Sequence, residues 1–243
     1  RRASNTCRVS SGVACATEHL LGMAKSKGAD AGIGKDKLAS IENVIGGDFA
    51  DMLVGSAGNN ELTGGAGNDS VNGGNGDDLI IDGPGSGNDK YVGGGGADTV
   101  DYSGALAAIT VNLQSGSAGS TSTDAGIGTD KLAGVENVIG GAFDDRLTGS
   151  ALANSLDGGA GNDTLAGGLG KDTLTGGLGT DVFSFGKAVD AGLAQKSDVI
   201  TDFSGVGGDG DLIDLSAIDA NTGVAGNDAF TLLAEAPVVA DAG

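Results

Sequence analysis

Carboxylates recur in this chain at a spacing that only a repeating backbone can use. In a first run Asp51, Asn60, Asp69, Asp78, Asp89 and Asp98 follow one another at nine-residue steps, one step stretched by two residues. In a second run Asp145, Asn154, Asp163, Asp172 and Asp181 keep the nine-residue step throughout. Glycines precede them, as in Gly64-Gly65-Ala66-Gly67-Asn68-Asp69. One such copy is an ordinary polar loop; eleven in register are a pattern with a purpose. Carboxylates brought close together are costly unless a cation lies between them. Calcium takes six to eight oxygen ligands in flexible geometry, backbone carbonyls included. Glycine lets a turn adopt φ > 0 and aim successive carbonyls at one point. Magnesium demands tighter octahedral geometry, and zinc prefers nitrogen and sulfur. With one histidine and two cysteines, zinc is not expected.

The elements that must position these acids are short. The full pattern reads G-G-x-G-x-D-x-U-x, where U is a large apolar residue. U falls on Leu53, Leu62, Val71, Ile80, Tyr91, Val100, Leu147, Leu156, Leu165, Leu174 and Phe183. Side chains alternate faces along a strand, so a three-residue strand centred on U turns that residue inward. The resulting core is too thin to hold the chain alone. Phe49 and Phe143 take the position-four glycine place in the first motif of each run, and Leu152 does so in the second motif of the later run. Asn60 and Asn154 replace the acid. These opening turns are expected to bind weakly or not at all and to cap each run. Between Ile81 and Pro84 the beat slips by Asp82 and Gly83, which are expected to bulge out as a loop.

Composition bounds the alternatives. Of 243 residues 49 are glycine, 3% are aromatic and the formal net charge is −20. Charge of one sign opposes compaction, so the chain needs something to neutralise its aspartates. So acidic a surface disfavours nucleic acid and anionic membranes, both of which need basic residues. No apolar run approaches the ~18 residues of a membrane span. A disulfide between Cys7 and Cys15, the only cysteines, is open, but two cysteines cannot frame a chain of this length, and the preferred reading is incidental thiols.

A longer duplication contains the two runs. Asp30 to Asp69 aligns without gaps on Asp124 to Asp163, identical at 29 of 40 positions. The predicted organisation is a degenerate connector over 1–45, a repeat block over 46–103, a connector over 104–139, a second block over 140–185 and a distinct C-terminal region over 186–243. A short amphipathic helix over 18–25 is the competing reading of the N-terminal part. Alternating apolar residues at Val199, Ile200, Phe203, Leu212, Ile213 and Leu215 suggest two short strands across a glycine-rich turn.

The nonapeptide resembles the repeats of the RTX (repeats-in-toxin) family, calcium-binding proteins secreted by Gram-negative bacteria through type I export. The resemblance implies an all-β fold, a parallel β-roll in which two repeats make one coil of about 18 residues with a sheet on each side. Repeats n and n+2 then lie one above the other, placing Asp69 over Asp51 and Asp181 over Asp163. By the family's pattern the side-chain oxygens come from Asp51, Asp69, Asp78, Asp89, Asp98, Asp145, Asp163, Asp172 and Asp181. Backbone carbonyls come from Gly64, Gly65, Gly67, Gly73, Gly74, Gly76, Gly87, Gly94 and Gly96 in the first block. In the second they come from Gly158, Gly159, Gly161, Gly167, Gly168, Gly170, Gly176, Gly177 and Gly179. The segment carrying Asp198, Ile200, Asp202, Phe203, Asp211, Ile213, Asp214, Leu215 and Ser216 resembles the C-terminal domain of serralysin-type metalloproteases, which adds Asp198 and Asp202 as metal candidates. In such a family the roll is unfolded at low cytoplasmic calcium and folded outside.

About seven ions fit the stacked pairs, bringing roughly +14 against the formal −20. At calcium ten times Kd, seven sites stabilise by about 10 kcal/mol, comparable to the ~5–15 kcal/mol of an ordinary domain. The function expected is therefore a calcium-folded module of a secreted protein, with a type I secretion apparatus as partner and self-association open. A calcium-dependent structural or adhesive surface protein of S-layer type is the alternative. The C-terminal part of a serralysin-type metalloprotease or other secreted hydrolase, lacking its catalytic domain, ranks below both. No catalysis is expected of this chain itself: His19 is its sole histidine and no H-E-x-x-H occurs.

Overall fold

A computed structural model describes residues 43–48, 50–83, 85, 87–119, 126–186, 197–205 and 210–218, together with the backbone of 6–8. The expected helix over 18–25, the N-terminal connector apart from one strand, and Cys15 lie outside the described residues. Among the described residues every regular element is a β-strand, most of three residues. The fold is a parallel β-roll.

Two sheets face each other across a narrow core. The first runs Thr6–Arg8, Asn43–Ile45, Glu61–Thr63, Leu79–Ile81, Thr99–Asp101, Asn137–Ile139, Ser155–Ala160, Thr173–Leu178 and Val199–Ile200, every neighbour parallel. The second begins with Met52–Val54, Ser70–Asn75 and Lys90–Gly95 and ends with Arg146–Thr148, Thr164–Ala166, Val182–Ser184 and Leu212–Asp214. Parallel neighbours need a crossover of a dozen or more residues. Here that crossover is turn, strand and turn, and the intervening strand belongs to the opposite sheet. No helix is required.

Register follows from the U residues. Leu62 aligns with Val44 on one side and Ile80 on the other, and Leu156 with Val138 and Leu174. In the three-residue strands among these only the central residue is buried, and in the two six-residue strands a glycine two positions on, Gly158 or Gly176, is buried as well. All eleven U residues lie at 7% exposure or less.

The segment between the two motif blocks carries both sheets across. In the first sheet Thr99–Asp101 pairs directly with Asn137–Ile139. In the second, Thr110–Asn112, Ser117–Gly119 and Thr129–Ala133 form an antiparallel meander inserted between Arg146–Thr148 and Lys90–Gly95. Three strands thus stand where one would continue the alternation. The extra width is filled by Tyr91, Tyr102, Ile109, Ile127 and Leu132, all buried.

One expectation needs correction. Asp82 and Gly83 do not bulge into solvent: both are buried, with Asp82 7% exposed, because the Tyr91 hydroxyl lies 2.7 Å from the Asp82 carboxylate inside the roll. The two short C-terminal strands expected from the sequence are present, at Val199–Ile200 and Leu212–Asp214. Val199–Ile200 extends the first sheet and Leu212–Asp214 the second, adding one more coil.

Leu156 has no exposed surface, whereas Leu152, four residues earlier, is 62% exposed. Leu156→Ala should cost about 2–5 kcal/mol in urea unfolding and Leu152→Ala under about 0.5 kcal/mol. Equal costs would contradict a core built on the U position alone.

Candidate metal centres in the stacked turns

The position-six acids form two ladders, one along each edge of the roll. On one edge the Asp51 amide donates to Asp69 Oδ1 at 2.7 Å, Asp69 to Asp89 at 2.7 Å and Asp89 to Asp130 at 2.9 Å. Beyond the meander the same edge resumes. Ile109 donates to Asp145, Asp145 to Asp163, Asp163 to Asp181 and Asp181 to Asp211. On the other edge Asn60 donates to Asp78, Asp78 to Asp98 and Asp98 to Glu136 Oε2. There Asn154 donates to Asp172 and Asp172 to Asp198, each at 2.8–2.9 Å. One carboxylate oxygen therefore bonds each coil to the one before it.

The second oxygen separates two kinds of turn. In the opening turns the turn's own position-two N–H holds a side-chain oxygen: Gly47 donates to Asp51 Oδ2 and Gly141 to Asp145 Oδ2, while Ser56 and Ser150 donate to the single side-chain oxygen of Asn60 and Asn154, all at 2.7 Å. In the later turns the position-two and position-four glycines take positive φ, as at Gly159 (99°) and Gly161 (125°). The same pair recurs at Gly65 and Gly67, Gly74 and Gly76, Gly94 and Gly96, Gly168 and Gly170, and Gly177 and Gly179. With the turn reversed, Oδ2 of Asp69, Asp78, Asp98, Asp163 and Asp172 is buried with no hydrogen-bond partner among the described residues.

These oxygens sit in glycine cradles. Oδ2 of Asp163 lies where a Cβ on Gly158 would stand, beside the Gly176 carbonyl of the next coil. Gly64, Gly73, Gly167 and Gly176 stand in the same relation to Asp69, Asp78, Asp172 and Asp181. Carbonyls of stacked turns, such as Gly47 against Gly65 and Gly159 against Gly177, crowd the same edge. Gly87 faces Asp89 Oδ1 and the Gly67 carbonyl. Asp202 stands apart from the ladders: its carboxylate accepts the Gly176 and Gly177 N–H groups at 3.0 and 2.7 Å and caps the last turn.

A buried carboxylate oxygen without a donor costs several kcal/mol when ionised. Burial pushes Asp69 and Asp163 up from 3.8 to about 7 and Asp172 to about 6, with the charges of stacked neighbours adding to the rise. Asp78 and Asp98 move in the same direction for the same leading reason. Among the described residues no three carboxylate, histidine or cysteine side chains converge. A hard cation here must therefore draw on backbone carbonyls too. The donor set, all oxygen and partly main chain, fits calcium and not zinc.

Several ladder members escape a search for the full motif. Asp130-Lys131-Leu132-Ala133, Glu136-Asn137-Val138-Ile139 and Asp211-Leu212-Ile213-Asp214 each keep only acid-x-U-x, and that shorter signal suffices to find them. A second ladder runs at position five, where side chains bond the next coil's amide. Asn59 accepts from Asp77, Asp77 from Ala97, Asn68 from Asn88, and Asp144 from Asn162.

Two family models match the chain. The RTX calcium-binding nonapeptide repeat, in four copies, matches residues 45–80. The peptidase M10 serralysin C-terminal model matches residues 91–239, more than half of the chain. No curated protein matches it.

The raised carboxyls carry a pH signature. A group whose folded pKa exceeds its unfolded value favours folding while protonated, and that stability is lost as pH rises through the folded pKa. In chelator the roll should gain stability on acidification from about pH 8 to about pH 5, across the values near 6 and 7. A β content in chelator, followed by far-UV circular dichroism, that is flat or falls over that range would contradict the burial of these oxygens.

Proposed function

This chain belongs to the peptidase M10 serralysin C-terminal family, and from that premise we propose that it is the calcium-folded, non-catalytic module of a secreted bacterial protein exported by a type I apparatus. The observation that carries the reading is the set of buried, partnerless Oδ2 atoms at Asp69, Asp78, Asp98, Asp163 and Asp172. Bound calcium would supply the positive charge that lets these carboxylates ionise inside the fold. The chain's own part is to present them: Oδ1 is fixed by the preceding coil's amide, and the glycine turn leaves Oδ2 facing carbonyls.

The opening turns support an uneven array. Asp51, Asn60, Asp145 and Asn154 have their side-chain oxygen on a backbone N–H of their own turn. Binding there is accordingly weak or absent, and the ions gather from the third repeat of each block onward. At low calcium the ladders carry net negative charge with nothing to offset it, and the chain stays extended enough to be exported. Outside the cell millimolar calcium fills the turns and the coils close. The absence of an H-E-x-x-H motif in the sequence supports a carrier role for this stretch rather than hydrolysis.

A calcium titration followed by far-UV circular dichroism, from chelator to ~10 mM with magnesium as control, tests this directly. A cooperative coil-to-β transition with calcium and none with magnesium is expected. Full β structure in chelator, unchanged by calcium, would overturn the folding switch and favour a self-sufficient structural solenoid.

A further inference from the structure

The coils at the junction of the two blocks differ from the rest, and we propose that two tyrosine hydroxyls hold their carboxylates in the place that cations take elsewhere. The proposal rests on the calcium reading above and says where in the array that reading stops. Asp89 and Asp130 are ladder members, 4% and 1% exposed, and each accepts a backbone amide through Oδ1 in the usual way. Their second oxygens are not orphaned. Tyr91 Oη lies 2.9 Å from Asp89 Oδ2, and Tyr102 Oη donates to Asp130 Oδ2 at 3.1 Å. Asp82, also buried, meets Tyr91 Oη at 2.7 Å through Oδ1.

The sequence builds this exception with three departures from the repeat. Tyr91 stands at a U position where nine of the other ten residues are aliphatic and the tenth is Phe183. Its hydroxyl therefore reaches polar groups that a leucine cannot. The inserted pair Asp82-Gly83 brings a third carboxyl inside. Tyr102 follows a strand directly, where a position-one glycine stands in the repeats, and the turn after it places Ile109 against Asp145. The widened second sheet leaves room for both rings, each fully buried.

The hydrogen count fits. A hydroxyl carries one proton, so Tyr91 cannot donate to Asp82 and Asp89 together. The chain closes when the Asp82 carboxyl donates to Tyr91 Oη and Tyr91 donates to Asp89. Burial, followed by the charges of Asp130 and Asp89, pushes Asp82 up to about 8 against the lowering effect of its bond to Tyr91. These carboxyls do not converge as a metal cluster.

Isosteric substitutions test the assignment, because asparagine keeps the Oδ1 acceptor that the ladder needs. Bound calcium per chain is counted by elemental analysis after equilibrium dialysis at saturating calcium, for the parent chain, Asp89→Asn and Asp163→Asn. Asp163→Asn should bind at least one calcium fewer than the parent, and Asp89→Asn the parent number. An equal loss in both overturns the tyrosine assignment and leaves the calcium reading standing; a parent chain that binds none overturns both. Tyr91 and Tyr102 are the chain's only tyrosines and it has no tryptophan, so the tyrosine band of the near-UV circular dichroism, at longer wavelength than the bands of the six phenylalanines, reports the cluster. If Asp89→Asn loses that band, Asp130→Asn gives the same comparison with the same two outcomes.

Discussion

At Asp69, Asp78, Asp98, Asp163 and Asp172 the position-six carboxylate does two things at once. Through one oxygen it bonds a coil to its predecessor, and it leaves the other inside a glycine turn facing carbonyls. The first supports the stack; the second opposes it, because an ionised oxygen without a donor is expensive to bury. A core one side chain wide, as at Leu156 between Val138 and Leu174, cannot outweigh many such penalties. On the proposed reading, the fold is therefore conditional on what fills the turns.

Glycine at positions two and four is what creates the condition. Where Gly47 and Gly141 lack the positive φ of the later turns, the N–H of the turn satisfies its own acid, and the turn is closed without help. Where Gly159 and Gly161 take positive φ, the donor is turned away and the acid is left open. One backbone choice therefore separates turns that satisfy their own acid from turns that leave it open. The tyrosine junction is a third solution to the same problem, using a side-chain hydroxyl as donor.

Most of this was legible in the residues. The nine-residue step places Asp69 over Asp51 and Asp181 over Asp163, and the ladder bonds join those same pairs. Phe49, Phe143 and Leu152 mark the opening turns by their bulk. What the full motif hides are positions that keep the geometry with fewer of its letters. Asp130 and Glu136 enter the ladders with only an acid two residues before an apolar side chain, because the strand and its acid set the register while the glycines set only the turn. The antiparallel meander is hidden for another reason: its strands are three to five residues of mixed type, and their pairing depends on the width of the sheet around them. Asp82 misleads in the same way. An inserted Asp-Gly reads as an exposed turn unless the partner of its carboxyl, Tyr91, is known.

The ladder amides offer the most direct measurement. Amide hydrogen exchange at Asn60, Asp78, Asp145 and Asn154, which donate to Asp78, Asp98, Asp163 and Asp172, reports whether each acid is holding its neighbouring coil. Strong protection with calcium and exchange at unstructured-chain rates in chelator near neutral pH are expected. Equal protection in both would mean that the buried oxygens tolerate their charge without a cation, which contradicts the central claim.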